Sequence, residues 1–237
     1  MEQPIEQLLM EGAGKFGVSL DNAMVMALLQ YKRILLEWNE KMNLTAIEEE
    51  RDFIIKHFVD SLSIMPFVKD GQSLIDVGTG AGFPGLPLKI ANPSLKIVLL
   101  DSLEKRIGFL NAAIAELQLT GIRAVHSRAE DAGMSAEFRE KTDVAVARAV
   151  ASLPVLLEYC LPLVKTGGIF IAMKAGSEEA GASGKALDIL GGRIEEIKEF
   201  ILPGSDMKRS IIVVRKLRQI PTKYPRKAGK PSKEPLI

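Results

Sequence analysis

From Asp76 to Gly85 the chain reads Asp-Val-Gly-Thr-Gly-Ala-Gly-Phe-Pro-Gly, a carboxylate followed by four glycines within eight residues. Residues of these types at this spacing are suited to holding a ligand. Glycine lets the backbone turn sharply and lets N–H groups approach a molecule that a Cβ would strike. Ahead of the turn, Ser73 to Val77 is a short apolar run that reads as a buried strand. Behind it, Leu86 to Ala91 reads as a helix. Strand, glycine turn and helix is how α/β proteins present backbone N–H groups to a nucleotide-like cofactor. A second acid, Asp101, closes the next apolar run, Lys96 to Leu100, and one carboxylate can accept from both hydroxyls of a ribose. A glycine turn with no ligand is the plain alternative.

Two patterns overlap in this turn. Gly80 to Gly85 satisfies G-x-G-x-x-G, with Asp101 about 20 residues on, as a dinucleotide site requires. The turn also satisfies D-x-G-x-G-x-G from Asp76, which resembles the cofactor motif of class I S-adenosylmethionine-dependent methyltransferases. A dinucleotide brings a pyrophosphate, which an adjacent acid would repel; adenosylmethionine does not, so Asp76 favours the second pattern. That resemblance implies that the first glycines pack beside the methionine part and that Asp101 takes the ribose hydroxyls. It also implies that an acid after the third strand, Glu130 or Asp131, hydrogen-bonds the adenine amino group. Asp131 reads equally well as a helix N-cap.

The elements that must position these residues follow from periodicity. Strands are predicted at Ser73–Val77, Lys96–Leu100, Arg123–His126, Val144–Ala147, Ile169–Lys174, Ile194–Phe200 and Arg209–Lys216. Helices are predicted at Leu86–Ala91, Glu104–Leu117 and Leu153–Cys160. Regular alternation predicts an α/β fold with a parallel sheet covered on both faces. The connection Leu202 to Lys208 holds Pro203-Gly204 and no helical pattern, so the last two strands should form an antiparallel hairpin at a sheet edge. The expected architecture is a Rossmann-like, class I methyltransferase sheet of seven mostly parallel strands with the last reversed, preceded by N-terminal helices. Met24, Leu28, Tyr31, Leu35, Trp38 and Met42 mark one face of a long helix, with Ser19 or Asp21 as its cap. Glu48 to Leu62 should form another, and His57 on it reads as a packed or capping residue.

Composition bounds the class. The chain has 237 residues, 47% hydrophobic and 26% charged, as in an ordinary globular protein. A single cysteine fits a reducing compartment, and the start shows no signal-peptide pattern. The longest apolar run, Ala149 to Val164, is interrupted by Pro154, Glu158 and Pro162, so no membrane span is expected and the chain reads as cytoplasmic. Net charge is +1, but Lys216 to Ile237 holds seven basic residues and one acid, which is +6 and leaves −5 for the body. A basic, proline-rich end suggests an anionic partner. A solvated, partly disordered tail is the alternative.

Arg148 stands directly after the apolar run Val144–Ala147, where methyl donor and acceptor would meet; its plain alternative is a surface ion pair. The Asn/Asp-Pro-Pro-aromatic pattern of enzymes that methylate exocyclic base amines is absent there, since the residues are Ala147-Arg148-Ala149-Val150. Cys160 lies in an apolar helix end and reads as core, so a covalent cysteine mechanism is not indicated. No Cys/His cluster suggests a metal. Chemistry that needs neither suits a ring nitrogen with a free lone pair, such as guanine N7, which attacks a sulfonium methyl without losing a proton.

Several segments together resemble one family. They are Asn43-Leu44-Thr45-Ala46-Ile47, His57-Phe58-Val59-Asp60-Ser61-Leu62, the Asp76–Gly85 turn, Ala147-Arg148-Ala149-Val150 and Tyr224-Pro225-Arg226-Lys227-Ala228-Gly229 with Pro231. The pattern is similar to the RsmG (GidB) family of bacterial small-subunit ribosomal RNA guanine-N7 methyltransferases, over nearly the whole chain. The resemblance implies methylation of one guanine in the 530 loop of 16S rRNA, on the 30S subunit or its precursor, with S-adenosylmethionine as donor. It places cofactor contacts at Gly78, Phe83, Ala129, Glu130 and Arg148, beside Gly80 and Asp101 from the motif itself. Phe83 has a core contact as its alternative. Lys174-Ala175-Gly176 stands where Lys-Gly is more usual. For RNA, the candidates are Lys174, Arg209, Lys223, Arg226 and Lys227, with Lys230, on a tail that Pro221, Pro225 and Pro231 should keep extended. No catalytic residue is singled out. The expected plan is one domain acting as a monomer: helices over 1–66, a core over 67–217 and a basic tail over 218–237. A nicotinamide-dependent dehydrogenase and a non-catalytic ribosome-associated nucleotide-binding factor are the competing readings.

Overall fold

The apolar runs after residue 72 pair into one sheet in a computed structural model, which describes residues 3–237. Its strands are β1 (Ser73–Val77), β2 (Lys96–Asp101), β3 (Ile122–His126), β4 (Thr142–Arg148), β5 (Val164–Lys174), β6 (Gly192–Ile201) and β7 (Lys208–Lys216). Their order is β3-β2-β1-β4-β5-β7-β6. The first five run parallel, and β7 is antiparallel to both of its neighbours. All seven predicted strands are present, and the predicted hairpin joins β6 to β7. The long strand β5 begins five residues earlier than the apolar run suggested, because Val164 already pairs with Thr142.

Side chains alternate across the sheet as a two-residue period demands. Leu74, Val144, Val146, Ile171 and Val213 face one core. It is shared with α1 (Ile5–Gly14), α2 (Asn22–Met42), the helical stretch over 50–62, α5 (Gly85–Ala91) and α6 (Glu104–Glu116). Ile75, Val77, Ala145, Ala147 and Phe170 face the other. That face is covered by α7 (Ala129–Met134), α8 (Leu153–Cys160), α9 (Gly184–Leu190) and the C-terminal segment. Helix α1 lies in the stretch expected to be helical, though no bounds were given for it; α7 and α9 were not given as helices, and each is seven residues or fewer and contains glycine.

Asp21, one of two predicted caps, starts α2 by accepting from the Met24 N–H at 2.8 Å. Asn43 ends that helix in the left-handed region, with φ 49°. The Asn39 side-chain oxygen accepts from the N–H groups of Leu44 and Thr45 at 2.7 and 2.9 Å, which turns the chain back toward the sheet. The second N-terminal helix is not uniform. It comprises α3 (Glu50–Phe53), a π-helical turn (Ile54–Val59) and α4 (Asp60–Leu62). Such turns are uncommon and frequent at functional sites.

The C-terminal segment corrects an expectation. It is folded onto the body instead of extended: Ile220, Tyr224, Pro231 and Leu236 are buried, and Lys230–Lys233 forms a helical turn, α10. Arg139 holds it by donating to the carbonyls of Ile220 and Tyr224 at 3.1 and 2.8 Å. The entry to this segment is fixed by Lys216, which is fully buried. Its Nζ donates to Glu140 Oε1 at 2.6 Å and to the carbonyls of Leu161 and Val164 at 3.0 and 2.6 Å. Lys216→Met keeps the volume and strands a carboxylate and two carbonyls. It should destabilise the fold by about 3 kcal/mol in urea unfolding; a change under about 0.5 kcal/mol would show that the pair carries no stability.

Candidate functional site

The strand β1 delivers Asp76 to the glycine turn with no exposure at all. Its Oδ2 accepts from the Gly85 N–H at 2.9 Å and from the Thr79 hydroxyl at 2.7 Å. Its Oδ1 is buried and has no partner among the described residues. Burial raises its pKa to about 6, against the pull of those two hydrogen bonds and the charge of Arg148. Gly85 has to be glycine for reasons of space: a Cβ there would meet Leu99 Cδ2 and lie 3.0 Å from Asp76 Oδ2. The turn is latched to the next strand. The N–H groups of Gly78 and Thr79 donate to the Leu100 carbonyl at 2.8 and 3.1 Å, and the Gly80 N–H donates to Asp101 Oδ2 at 2.9 Å.

Beyond these strand ends lies a crevice of about 280 Å³. Gly78, Asp101, Ala129 and Glu130 line it, with Val150, Tyr159, Gly229 and Ser232. Four of the predicted cofactor residues are therefore brought together. Gly80 joins them through its bond to Asp101. Glu130 is 6% exposed, while Asp131 is exposed; the N-cap position of α7 belongs to Arg128, and no side chain caps it.

Phe83 and Arg148 sit elsewhere. The Phe83 ring is buried among Tyr31, Phe53 and Phe58 and is stacked on His57, with centroids 4.4 Å apart and planes 4° from parallel. The Arg148 guanidinium lies over the same ring, 5.0 Å from its centroid, a favourable cation–π arrangement. It donates to the Lys56 carbonyl and to Asp60 Oδ2, both at 3.1 Å, and to His57 Nδ1 at 3.3 Å. A guanidinium only donates, so Nδ1 must be the acceptor. The ring proton is then on Nε2, which donates to Thr45 Oγ1 at 2.8 Å. Burial, with Arg148 and Lys56 nearby, lowers the His57 pKa to about 3, so the ring is neutral at physiological pH.

Lys56, His57, Asp60 and Arg148 border a second, larger cavity of about 670 Å³ that Phe83 does not line, within the range of small-ligand sites. Lys56, Arg148, Lys174 and Arg209 give it positive charge, Asp60, Glu178 and Glu179 negative, and Ile47, Met173 and Met207 an apolar wall. Arg209 donates to Asp60 Oδ1 at 2.9 Å, so Asp60 bridges two arginines. Lys174 donates to the Ala151 carbonyl and to Glu179, both at 2.8 Å. Lys174 and Arg209 are thus at the cavity. Lys223, Lys227 and Lys230 are exposed on the C-terminal segment and line neither cavity. Arg226 is committed inward: its backbone N–H and its guanidinium reach Glu158, which is wholly buried, at 2.6–3.1 Å. His57, Asp60, Lys56 and Thr45 were not singled out as site residues. The signal available was Asp60 three residues after His57 on one helix.

The turn after β4 is the partition between the two cavities. Arg148 and Ala149 face the larger one and Val150 the smaller. Ala149 bends the chain there with φ 55°, and a Cβ on Gly78 would come within 2.8 Å of Val150 Cγ2.

The family model described as GidB, rRNA small subunit methyltransferase G, matches residues 24–215. A protein named ribosomal RNA small subunit methyltransferase G from Acetivibrio thermocellus is 62% identical over 99% of this chain and 98% of that protein. The chain belongs to this family. A homologue of the same name from Alkaliphilus oremlandii is 54% identical over 98% of this chain and 99% of that one. The fold is shared with a SAM dependent methyltransferase of Aquifex aeolicus, at a TM-score of 0.53 and 17% identity over 68% of this chain and 92% of that one. Family membership makes the chain an S-adenosylmethionine-dependent rRNA methyltransferase and sets aside the dehydrogenase and accessory-factor readings. The residues present fit that donor: two carboxylates, Asp101 and Glu130, line the crevice, and beside the glycines Asp76 has one buried oxygen without a partner among the described residues.

Asp76 also ties the site to pH. Its pKa is raised from an ordinary 3.8 to about 6, so the folded chain retains a proton that the unfolded chain has released. The stabilisation is complete below about pH 4 and is lost as pH rises through about 6. Two pKa units correspond to about 3 kcal/mol. Relative to the parent chain, Asp76→Asn should therefore gain about 3 kcal/mol in urea melts at pH 8 over pH 4. A pH-independent difference would contradict the raised pKa.

Proposed function

We propose that the chain methylates N7 of a guanine in the 530 loop of 16S rRNA, the donor lying in the smaller crevice and the base in the larger cavity. The observation that carries this reading is the shared partition: one turn, Arg148–Val150, borders both cavities at the carboxyl end of β4. Bound S-adenosylmethionine supplies an electrophilic methyl group on sulfur. Asp101 accepts from the ribose hydroxyls, and Glu130 lies at the adenine end. Gly78 and Ala129 leave room for backbone approach. Gly80 keeps Asp101 aimed at the crevice, and Phe83 acts from beneath by supporting Arg148.

On the acceptor side no residue needs to remove a proton, because N7 already carries a lone pair. This agrees with the lining: both ring nitrogens of His57 are engaged and the ring is neutral. The contribution of the chain is alignment and a fixed polar surround. Arg148, Lys174 and Arg209 border the base cavity, where phosphates and the purine edge offer acceptors. Lys223 and Lys227 add positive charge toward the RNA backbone, whereas Arg226 serves as an anchor within the protein. The base must leave its stack to reach the donor. We infer that the particle or its precursor in the cytoplasm is the substrate and that the chain works as a monomer. The edge strand β6 supports the last point, since Arg193, Glu195, Glu196, Lys198 and Glu199 charge its surface and oppose edge pairing.

Mass mapping of 16S rRNA from a strain lacking the gene tests the reaction: the 530-loop guanine should lose its methyl group and regain it on complementation. Persistence of the modification would refute the assignment. For the donor, Asp101→Ala should weaken S-adenosylhomocysteine binding at least about tenfold in calorimetry, the loss expected for hydrogen bonds to a charged acceptor. Unaltered affinity would remove the ribose role.

A further inference from the structure

The C-terminal segment reaches the donor crevice from outside the sheet. Two of its residues, Gly229 and Ser232, line the crevice together with Gly78, Asp101 and Glu130. The Gly229 N–H donates to Glu130 Oε1 at 2.8 Å, so the acid at the adenine end holds the segment through one oxygen. Its other oxygen has no hydrogen-bond partner among the described residues.

The placement of this segment is over-determined from the inside. Glu158, buried on α8, takes the Arg226 N–H at 2.8 Å, Nε at 2.8 and 3.1 Å, and the terminal guanidinium nitrogen at 2.6 Å. That nitrogen also donates to the Glu234 carbonyl at 2.8 Å, which closes α10 on the same anchor. Pro225 packs on Gly133, where a Cβ would lie 2.8 Å from Pro225 Cγ. Ion pairing of this depth is seldom spent on a solubility tail, because an arginine facing water would serve one as well and avoid the desolvation cost. Lys223, Lys227, Lys230 and Lys233 on this segment are exposed.

We propose that residues 219–237 form the outer wall of the donor crevice, with Ser232 contacting the adenosine half of the donor and the Glu158–Arg226 pair positioning that wall. The proposal rests on the donor reading of the crevice given above. It assigns the segment's inner face to the donor and leaves its outer lysines for phosphate. Donor and wall are then coupled in both directions: a wall that tightens donor binding must itself be tightened by the donor.

The test is calorimetry of S-adenosylhomocysteine with the full chain and two variants, paired with binding of a 16S rRNA fragment. Ser232→Trp, at an exposed position that leaves the fold intact, fills the crevice mouth and should weaken S-adenosylhomocysteine at least about tenfold. Arg226→Lys keeps the charge but loses the fork of donors, and should weaken it about three- to tenfold. RNA affinity should stay within about twofold for both, and hydrogen exchange at the Gly229 amide should slow when S-adenosylhomocysteine is added. Variants that bind S-adenosylhomocysteine as the parent chain does, or that lose RNA affinity instead, would overturn the wall. Failure of the parent chain itself to bind would overturn the donor reading and, with it, the wall.

Discussion

A guanidinium that is only 16% exposed at the end of a central strand must find counter-charge, and Arg148 finds it entirely in the N-terminal helices. That requirement organises the molecule. Asp60 answers Arg148 from β4 and Arg209 from β7 with its two oxygens, so one buried carboxylate ties the helical layer to strands on either side of β5. Removing Asp60 would leave two largely buried guanidinium groups without their shared counter-charge, a loss of the kind that costs about 3–5 kcal/mol. The helices are therefore a wall of the site, and the larger cavity exists because they are drawn against the sheet at this point. Lys56, whose carbonyl takes another Arg148 N–H, lies in the π-helical turn.

The neighbouring histidine shows how burial decides chemistry. With a pKa near 3 and both nitrogens engaged, His57 is a fixed acceptor that aims Arg148, held on its far side by Thr45. A histidine free to titrate near neutrality would have suggested proton transfer. A neutral one stacked on Phe83 suggests a rigid floor. Asp76, one strand away, is the opposite case: an acid whose burial favours the neutral form until a cation or hydrogen-bond donor meets its free oxygen.

Much of this was legible in the chain and some was not, for physical reasons. Short apolar runs located every strand, since a parallel sheet buried on both faces leaves near-continuous apolar segments in the chain. The β6–β7 hairpin followed from Pro203-Gly204. The smaller crevice was legible because its residues lie in short local segments: Asp76 to Gly85, Asp101 at a strand end, Ala129-Glu130 after another. The larger cavity depends on contacts such as Arg148 to His57 and Arg209 to Asp60, 91 and 149 residues apart, and no local pattern reports those. His57 read as a packed residue, and it is packed, but against Phe83 at a cavity wall. The C-terminal segment was misjudged as extended because its prolines and lysines describe its composition, while Arg139 and Glu158, which fold it back, lie far away in sequence.

The claim on which the account stands is that donor and base meet across the turn that follows β4. The most direct measurement is a structure of the chain with S-adenosylhomocysteine and a guanosine-containing fragment of the 530 loop. The account predicts the adenosine against Asp101 and Glu130 and the guanine in the cavity beside Arg148, with N7 turned toward the sulfur at a separation that leaves room for one methyl group. A base seated on the opposite side of the sheet, or presenting an edge other than N7 to the sulfur, would contradict it.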